Sequence, residues 1–350
     1  MNLNWQAYLR NHGAIIQDDR VVSFGDNAAE LDSARSATVL SDLSHFGLIH
    51  FSGEDAQSFL QGQLSCDVKQ VDASAALYGG YCNPKGRLLA SFLIWSEGIG
   101  NGGGYVMQLP AALRPGIQKR LAMYVLRAKV KLADASDDLV CLGVAGDHAE
   151  ALVRKNLGEV PASRLGVIHG ESVSIIRLAQ NRFELVIVPE KVPAIWEGLS
   201  REAVPVGAPC WDWLEIKAGI PIITPATQEQ FVPQMANLEA IGGVSFQKGC
   251  YPGQEIVARS QYLGKIKRRM YLANIRPGIS ENPVEAGDEL FGADMGEQSI
   301  GMVVNASPSP DGGFDVLAVI QTSSVEAAAV RWKSLAGPSL EITPLPYSLS

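Results

Sequence analysis

The chain has 350 residues, of which 47% are hydrophobic and 19% charged, and its formal net charge is −8. That balance excludes a disordered polymer. At roughly 100–200 residues per domain, it leaves room for two or three domains with substantial cores. An acidic chain of this kind is also a poor candidate for binding nucleic acid with its whole surface.

Five cysteines are present: Cys66, Cys82, Cys141, Cys210 and Cys250. Their odd number, wide spacing and lack of any C-x-x-C argue against a disulfide framework, a zinc knuckle and a four-thiolate cluster site in one loop. No metal ligand set is expected. The N-terminus lacks a basic-then-apolar leader, and no apolar run is long enough to cross a bilayer. A cytoplasmic protein with no membrane partner is therefore expected.

In chain order, Trp5–Ile16 reads as an amphipathic helix and Val21–Phe24 as a strand. Thr38–Leu43 and Leu48–Phe51 read as a strand pair. Asp55 is placed to cap a helix carrying Phe59, Leu60 and Leu64. Two apolar strands, Ala76–Cys82 and Leu88–Trp95, flank Asn83-Pro84-Lys85-Gly86, which has the preferred residues of a type I turn. Gly98–Gly104 reads as a flexible hairpin loop, because Tyr105–Leu109 beyond it reads as a return strand; a phosphate-cradling loop would need a helix there.

Pro115–Leu126 reads as a helix, Lys129–Leu132 and Leu139–Ala145 as strands, and His148–Leu157 as a helix. Alternation at Phe183, Leu185 and Ile187 predicts a half-buried strand, which leaves Glu184 as either an outward-facing residue or a ligand contact. Val192–Leu199 reads as a helix with Pro193 at its start. The mixture is an α+β signature. The last third differs. Met270–Ile275, Glu289–Phe291, Ile300–Ala306, Val316–Ile320 and Ala328–Trp332 read as short strands separated by turn residues, with little helix, which predicts a small antiparallel β-barrel or sandwich.

The most unusual stretch is Lys248-Gly249-Cys250-Tyr251-Pro252-Gly253-Gln254-Glu255. Two glycines and a proline in eight residues make a turn. Cys250 thus sits in irregular backbone beside a cation, a setting that favours thiolate over thiol. Such a thiol can be a nucleophile, a redox sensor or a metal ligand, whereas Cys66, Cys141 and Cys210 read as small buried residues. From Lys248 to Arg269 there are also six cations, Lys248, Arg259, Lys265, Lys267, Arg268 and Arg269, against the one anion Glu255. The block can receive an anionic ligand tail or a phosphate backbone, or be a solvated face.

The Lys248–Glu255 block resembles the signature K-G-C-Y-x-G-Q-E of the YgfZ-type folate-binding proteins, within the superfamily of the glycine-cleavage aminomethyltransferase. Other segments agree in order. Asp42-Leu43-Ser44-His45, Gly53 to Leu64 with Asp67-Val68, Ala218-Gly219-Ile220-Pro221, Phe231-Val232-Pro233-Gln234 and Asn237-Leu238 are similar to superfamily motifs.

The resemblance implies an α+β, three-domain cloverleaf of the aminomethyltransferase folate-binding type with a C-terminal antiparallel β-barrel. The implied domains are 1–46 with 142–244, the inserted 47–141, and 245–350. It implies tetrahydrofolate or a related reduced folate as cofactor. Glu184 falls where the superfamily places a pterin-binding glutamate. Cys250 would be the reactive thiol and Lys248 its electrostatic partner, with Gly249 and Gly253 permitting the turn. Tyr251, Gly253, Gln254, Glu255 and Arg259 would contact folate or support the loop.

The strand after the Asn83–Gly86 turn lacks the aspartate that aminomethyl transfer requires, and Glu215 stands where the superfamily often has an arginine. The resemblance therefore favours an accessory role. The chain would support assembly or repair of iron–sulfur clusters in client enzymes such as tRNA methylthiotransferases, with an indirect effect on tRNA modification. A folate-dependent one-carbon transferase and an RNA-contacting module using the basic block are the alternatives, though direct nucleic-acid contact is not expected.

Overall fold

The computed structural model describes residues 1–97, 104–262, 266–276, 278, 283–327 and 330–349. The chain divides into two compact units. One comprises Met1–Gln61, Val68–Leu77 and Leu93–Trp211; the other comprises Gly62–Asp67, Tyr78–Phe92 and Asp212–Ser350.

The first unit is built on two larger sheets and a two-stranded one. In the first, the strands run in the order Val167–His169, Val173–Ala179, Arg182–Ile187, Val140–Ala145, Val39–Asp42, Val204–Val206. All neighbours are antiparallel except the last pair. Successive side chains point to opposite faces of a strand. Leu40, Leu142, Val144, Phe183 and Leu185 therefore share one face, which packs on helix residues Trp5, Leu9, Leu152, Val153 and Trp196. Each large side chain buried in that layer contributes roughly 1.5–3 kcal/mol. The second sheet pairs Phe46–Ser52 with both Gly104–Pro110 and Lys131–Asp134, and Leu93–Ser96 with Gly104–Pro110. Of the expected loop Gly98–Gly104, residues 98–103 lie outside the described residues.

Several expectations need correction. Arg182–Ile187 is not half-buried: all six residues are buried, because the strand is central in its sheet and covered on both faces. Thr38–Leu43 and Leu48–Phe51 are strands but not a pair. A turn closed by Phe46 N–H donating to the Leu43 carbonyl (2.9 Å) sends them into separate sheets. The first helix is Leu3–Asn11, capped by the Asn2 side chain, and it stops short of Ile16. Gly13 turns there at φ +90 and Ile15–Gln17 pairs back with Arg20–Ser23.

Asp55 holds the N-cap position of its helix, Ala56–Gln61, its carbonyl accepting the Phe59 N–H (2.8 Å), but it does not cap with its side chain. Its carboxylate instead accepts the Lys129 backbone N–H at 2.8 Å. The helix expected at Pro115–Leu126 spans Arg114–Ala122. Helices Asn27–Ser36 and Ala208–Lys217 and strand Val173–Ala179 were not foreseen. The first of these has a weakly amphipathic sequence and is anchored by Asp26, which accepts from the Ala28 and Ala29 N–H groups.

In the second unit the Asn83–Gly86 turn forms as expected. Gly86 N–H donates to the Asn83 carbonyl (2.9 Å), and the Asn83 side chain accepts from the Lys85 and Arg87 N–H groups. Between Lys217 and Gln254 there is no regular element. This long segment is held against the hairpin by backbone bonds between Leu88 and both Glu229 and Phe231 (2.8 Å each), and by Ile223 N–H on Ser91 Oγ (2.9 Å).

The C-terminal sheet is antiparallel in the order Val330–Trp332, Glu289–Gly292, Ser299–Pro308, Phe314–Gln321, Arg268–Ile275, Leu340–Thr343. An isolated bridge, Arg331 to Ser339, joins its two ends, so the strip curls toward a barrel. Its interior holds Ile275, Leu290, Ile300, Val316, Ile320 and Trp332. The strand Leu340–Thr343 and the short helix Thr322–Ala327 are additions to the expected set, and residues 328–329 of the expected last strand lie outside the described residues.

Candidate functional site: a motif loop and a buried carboxylate

The motif loop belongs to the second unit. Cys250 is exposed there, while Cys66, Cys82, Cys141 and Cys210 are buried. Lys248 is only 9% exposed. Its Nζ donates to the carbonyls of Leu64 (2.5 Å) and Cys66 (2.9 Å) and lies 5.3 Å from the centre of the Tyr251 ring. Burial holds the ammonium down to about 8, against the attraction of Cys66 and Asp67. Burial likewise pushes the Cys66 thiol up to about 12, with Lys248 acting in the opposite direction. The structure thus commits Lys248 to the Leu64–Cys66 segment, where sequence order pointed to Cys250. Tyr251 is also buried, and its phenol is pushed up by that burial.

The shape of the loop depends on Gly253. Its φ is +80, and an added Cβ would sit 2.4 Å from the Asn83 carbonyl oxygen and 2.6 Å from the Gly86 Cα. Gly249 has no such constraint: an added Cβ there meets nothing within 4 Å. The turn therefore requires one glycine, not both. Gln254 closes it, its N–H donating to the Tyr251 carbonyl (3.1 Å) and its amide to the Lys248 carbonyl (3.4 Å).

The chain then enters the helix Gln254–Tyr262, a regular element not foreseen from sequence. The buried Gln234 amide donates to its Val257 carbonyl at 2.7 Å. Glu255 and Arg259 are exposed on that helix. Lys248 is buried and Arg269 is taken by Glu239 and the Gln234 carbonyl, while Lys265 lies outside the described residues.

The second group lies in the first unit. Glu184 is 2% exposed, on the sheet face opposite the helix-packed layer. Its carboxylate accepts from the side-chain amide of Gln108, on a strand of the other sheet. The Cys141 thiol also donates to Glu184, and burial together with that carboxylate raises it well above the ordinary thiol range. In register beside Glu184 is Gly143, where an added Cβ would lie 2.3 Å from the Trp211 ring. The Arg182 guanidinium is 5.6 Å from that same ring. Of the two readings of Glu184, the outward-facing one fails: its carboxylate is buried against the Gln108 and Cys141 side chains.

Asp42, in the same unit, is fully buried. It accepts from the Trp5 indole (2.7 Å) and from the Ser44 hydroxyl (2.8 Å), which makes the Asp42–His45 motif a structural anchor. Glu215 is buried in the second unit, in Ala208–Lys217. Gln108, Cys141 and Trp211 carried no sequence signal, since each is an ordinary residue of an apolar element. Only the Asn-Pro-Lys-Gly turn could have pointed to Gly86.

The pterin of a reduced folate would call for an acceptor of this chemical kind. The pterin's amino and ring N–H groups form a planar donor pair, and a buried carboxylate accepts such a pair in bidentate fashion.

Residues 7–248 match the model of the GCVT N-terminal domain family. Across 89% of its length the chain is 34% identical to a tRNA-modifying protein YgfZ of Colwellia psychrerythraea, covering 94% of that protein. It is likewise 34% identical over 91% of its length to the YgfZ of Klebsiella pneumoniae, covering 95% of it. The chain belongs to the YgfZ family.

Its fold is that of the aminomethyltransferases. The crystal structure of the glycine cleavage aminomethyltransferase T from Bartonella henselae superposes with a TM-score of 0.77, covering 99% of this chain and 97% of that one at 17% identity. At that identity the likeness bears on the fold alone. Within this YgfZ-family chain the strand Leu88–Ser96 carries no carboxylate, and its Ser91 hydroxyl is engaged by the Ile223 N–H. Among the described residues no helix is long and apolar enough to cross a membrane.

Proposed function

We propose that this YgfZ-family chain is a reduced-folate-binding accessory protein that supports assembly or repair of iron–sulfur clusters in client enzymes, tRNA methylthiotransferases among them. Its effect on tRNA modification is then indirect, and its place of action is the cytoplasm. The observation that carries the reading is the exposure of Cys250 in a tightly built loop while the other four cysteines are buried. Exposure in polar, irregular backbone is what a reactive thiol needs.

Glu184 would hold the pterin through charge-assisted hydrogen bonds, with Gln108 fixing the carboxylate's orientation. Gly253 and Gln254 would hold the shape of the loop, and Tyr251 and Lys248 its buried base. Glu255 and Arg259 are exposed on the helix that follows the loop, where they can meet a client. Tetrahydrofolate, when bound, supplies ring nitrogens that can carry a one-carbon unit.

The test is a calorimetric titration of tetrahydrofolate against the wild type and Cys250→Ala. Equal binding by both is expected, since the thiol serves the client and not the pterin. Absence of binding by the wild type overturns the folate half of the reading. The absence of a carboxylate from Leu88–Ser96 weighs against aminomethyl transfer, and the burial of Lys248 and the pairing of Arg269 with Glu239 weigh against RNA contact through the basic block.

A further inference from the structure

From Ala111 to Leu132 the sequence holds six cations, Arg114, Lys119, Arg120, Arg127, Lys129 and Lys131, and no acid, in a chain of net charge −8. Arg114 is paired with Asp134 (2.7 Å) and Lys129 with Glu54 (2.8 Å). Among the described residues no ion pair engages Lys119, Arg120, Arg127 or Lys131. The helix Arg114–Ala122 buries Ile117 and Leu121, and the chain then turns outward. On that turn Met123 is 63% exposed, Tyr124 44% and Leu126 87%. The other exposed large apolar residues are scattered singly, whereas these three fall within four positions.

The turn is ordered by backbone bonds, including Val125 N–H to the Ala122 carbonyl (3.3 Å) and Ala128 N–H to the Val125 carbonyl (2.8 Å). Leu126 is held at φ +46, a conformation unfavourable for a branched side chain. A water-facing turn would be better served there by asparagine or glycine. An apolar tip flanked by unpaired cations is the pattern of an interfacial contact.

We propose that the Met123–Leu126 turn docks on an anionic lipid surface. Such a surface offers negative charge to Lys119, Arg120, Arg127 and Lys131 and a soft apolar layer to a protruding tip, with no preformed pocket needed. RNA would reward planar stacking, and here only Tyr124 could supply it. The expectation of no membrane partner rested on the lack of a spanning segment, which has no bearing on a surface contact.

The test is co-sedimentation of the full chain with vesicles of phosphatidylglycerol and phosphatidylcholine, and with phosphatidylcholine alone, at low and physiological salt. Binding to the anionic vesicles only, weakened by salt, is expected. Leu126→Ser should lower it roughly tenfold, and Arg127→Glu with Lys131→Glu at least as much. A Tyr124→Trp variant should gain a blue-shifted emission component on binding. All these positions are solvent-facing, so thermal unfolding should be unchanged and confirms that the variants fold. No binding at low salt overturns the proposal. So does binding that is indifferent to Leu126→Ser, or tighter binding of the same face to tRNA than to vesicles.

Discussion

Gly86 occupies the space a side chain on Gly253 would need: a methyl group there would lie 2.6 Å from the Gly86 Cα, while one on Gly86 would lie 3.0 Å from the Ile256 Cβ and 3.1 Å from the Gly253 carbonyl oxygen, and both residues have positive φ. The loop that presents Cys250 is thereby seated on a turn far away in sequence. Gly253→Ala and Gly86→Ala should each destabilise the chain by about 1–3 kcal/mol in urea unfolding. Gly249→Ala should change it by less than about 0.5 kcal/mol, since nothing meets its Cβ.

Stability at alkaline pH carries two opposed contributions. Lys248 is held down to about 8, whereas an unfolded lysine titrates near ~10.4. Over that window the unfolded chain binds more protons, so this group adds stability as pH rises. Cys66 and Cys82 are held up to about 12 by burial, against ~8.5 when unfolded, so they remove stability as pH rises through their own window. The thiols outnumber the amine, and urea midpoints should fall above about pH 9. Lys248→Met removes the opposing contribution and should steepen that fall. It also leaves the Leu64 and Cys66 carbonyls without their donor, at a cost of about 1–3 kcal/mol at neutral pH.

Glu184→Gln keeps volume and leaves an oxygen for the Gln108 amide. Unfolding should therefore change little. Tetrahydrofolate affinity should fall roughly tenfold or more, because a charged acceptor becomes neutral. Calorimetry on the wild type and the variant, with melting curves on both, checks this.

Alkylation with iodoacetamide in native buffer should label one thiol per chain rapidly and the remainder only after denaturation. Peptide mapping should place the rapid label on Cys250, and Cys250→Ala should abolish it.

How far the sequence could be read varied with the kind of signal. The Asn83–Gly86 hairpin and the C-terminal strands were legible because turn residues and apolar runs are local. Asn27–Ser36 was missed because it buries only Glu30, Leu31 and Ala34, so periodicity hardly marks it. Glu184 stayed open between an outward-facing residue and a ligand contact, because alternation reports that one face is apolar and says nothing about what covers the other. The motif block located Cys250, yet Lys248 turned away from it, because the Leu64 and Cys66 carbonyls that claim its ammonium are remote in sequence.

The most direct test of the account is restoration of an iron–sulfur tRNA methylthiotransferase in cells lacking this chain, read as methylthiolated nucleoside in total tRNA. The wild type should restore the modification, and Cys250→Ala, present at equal level and still binding tetrahydrofolate, should not. Full restoration by that variant would contradict the account and leave the Cys250 thiol without a role.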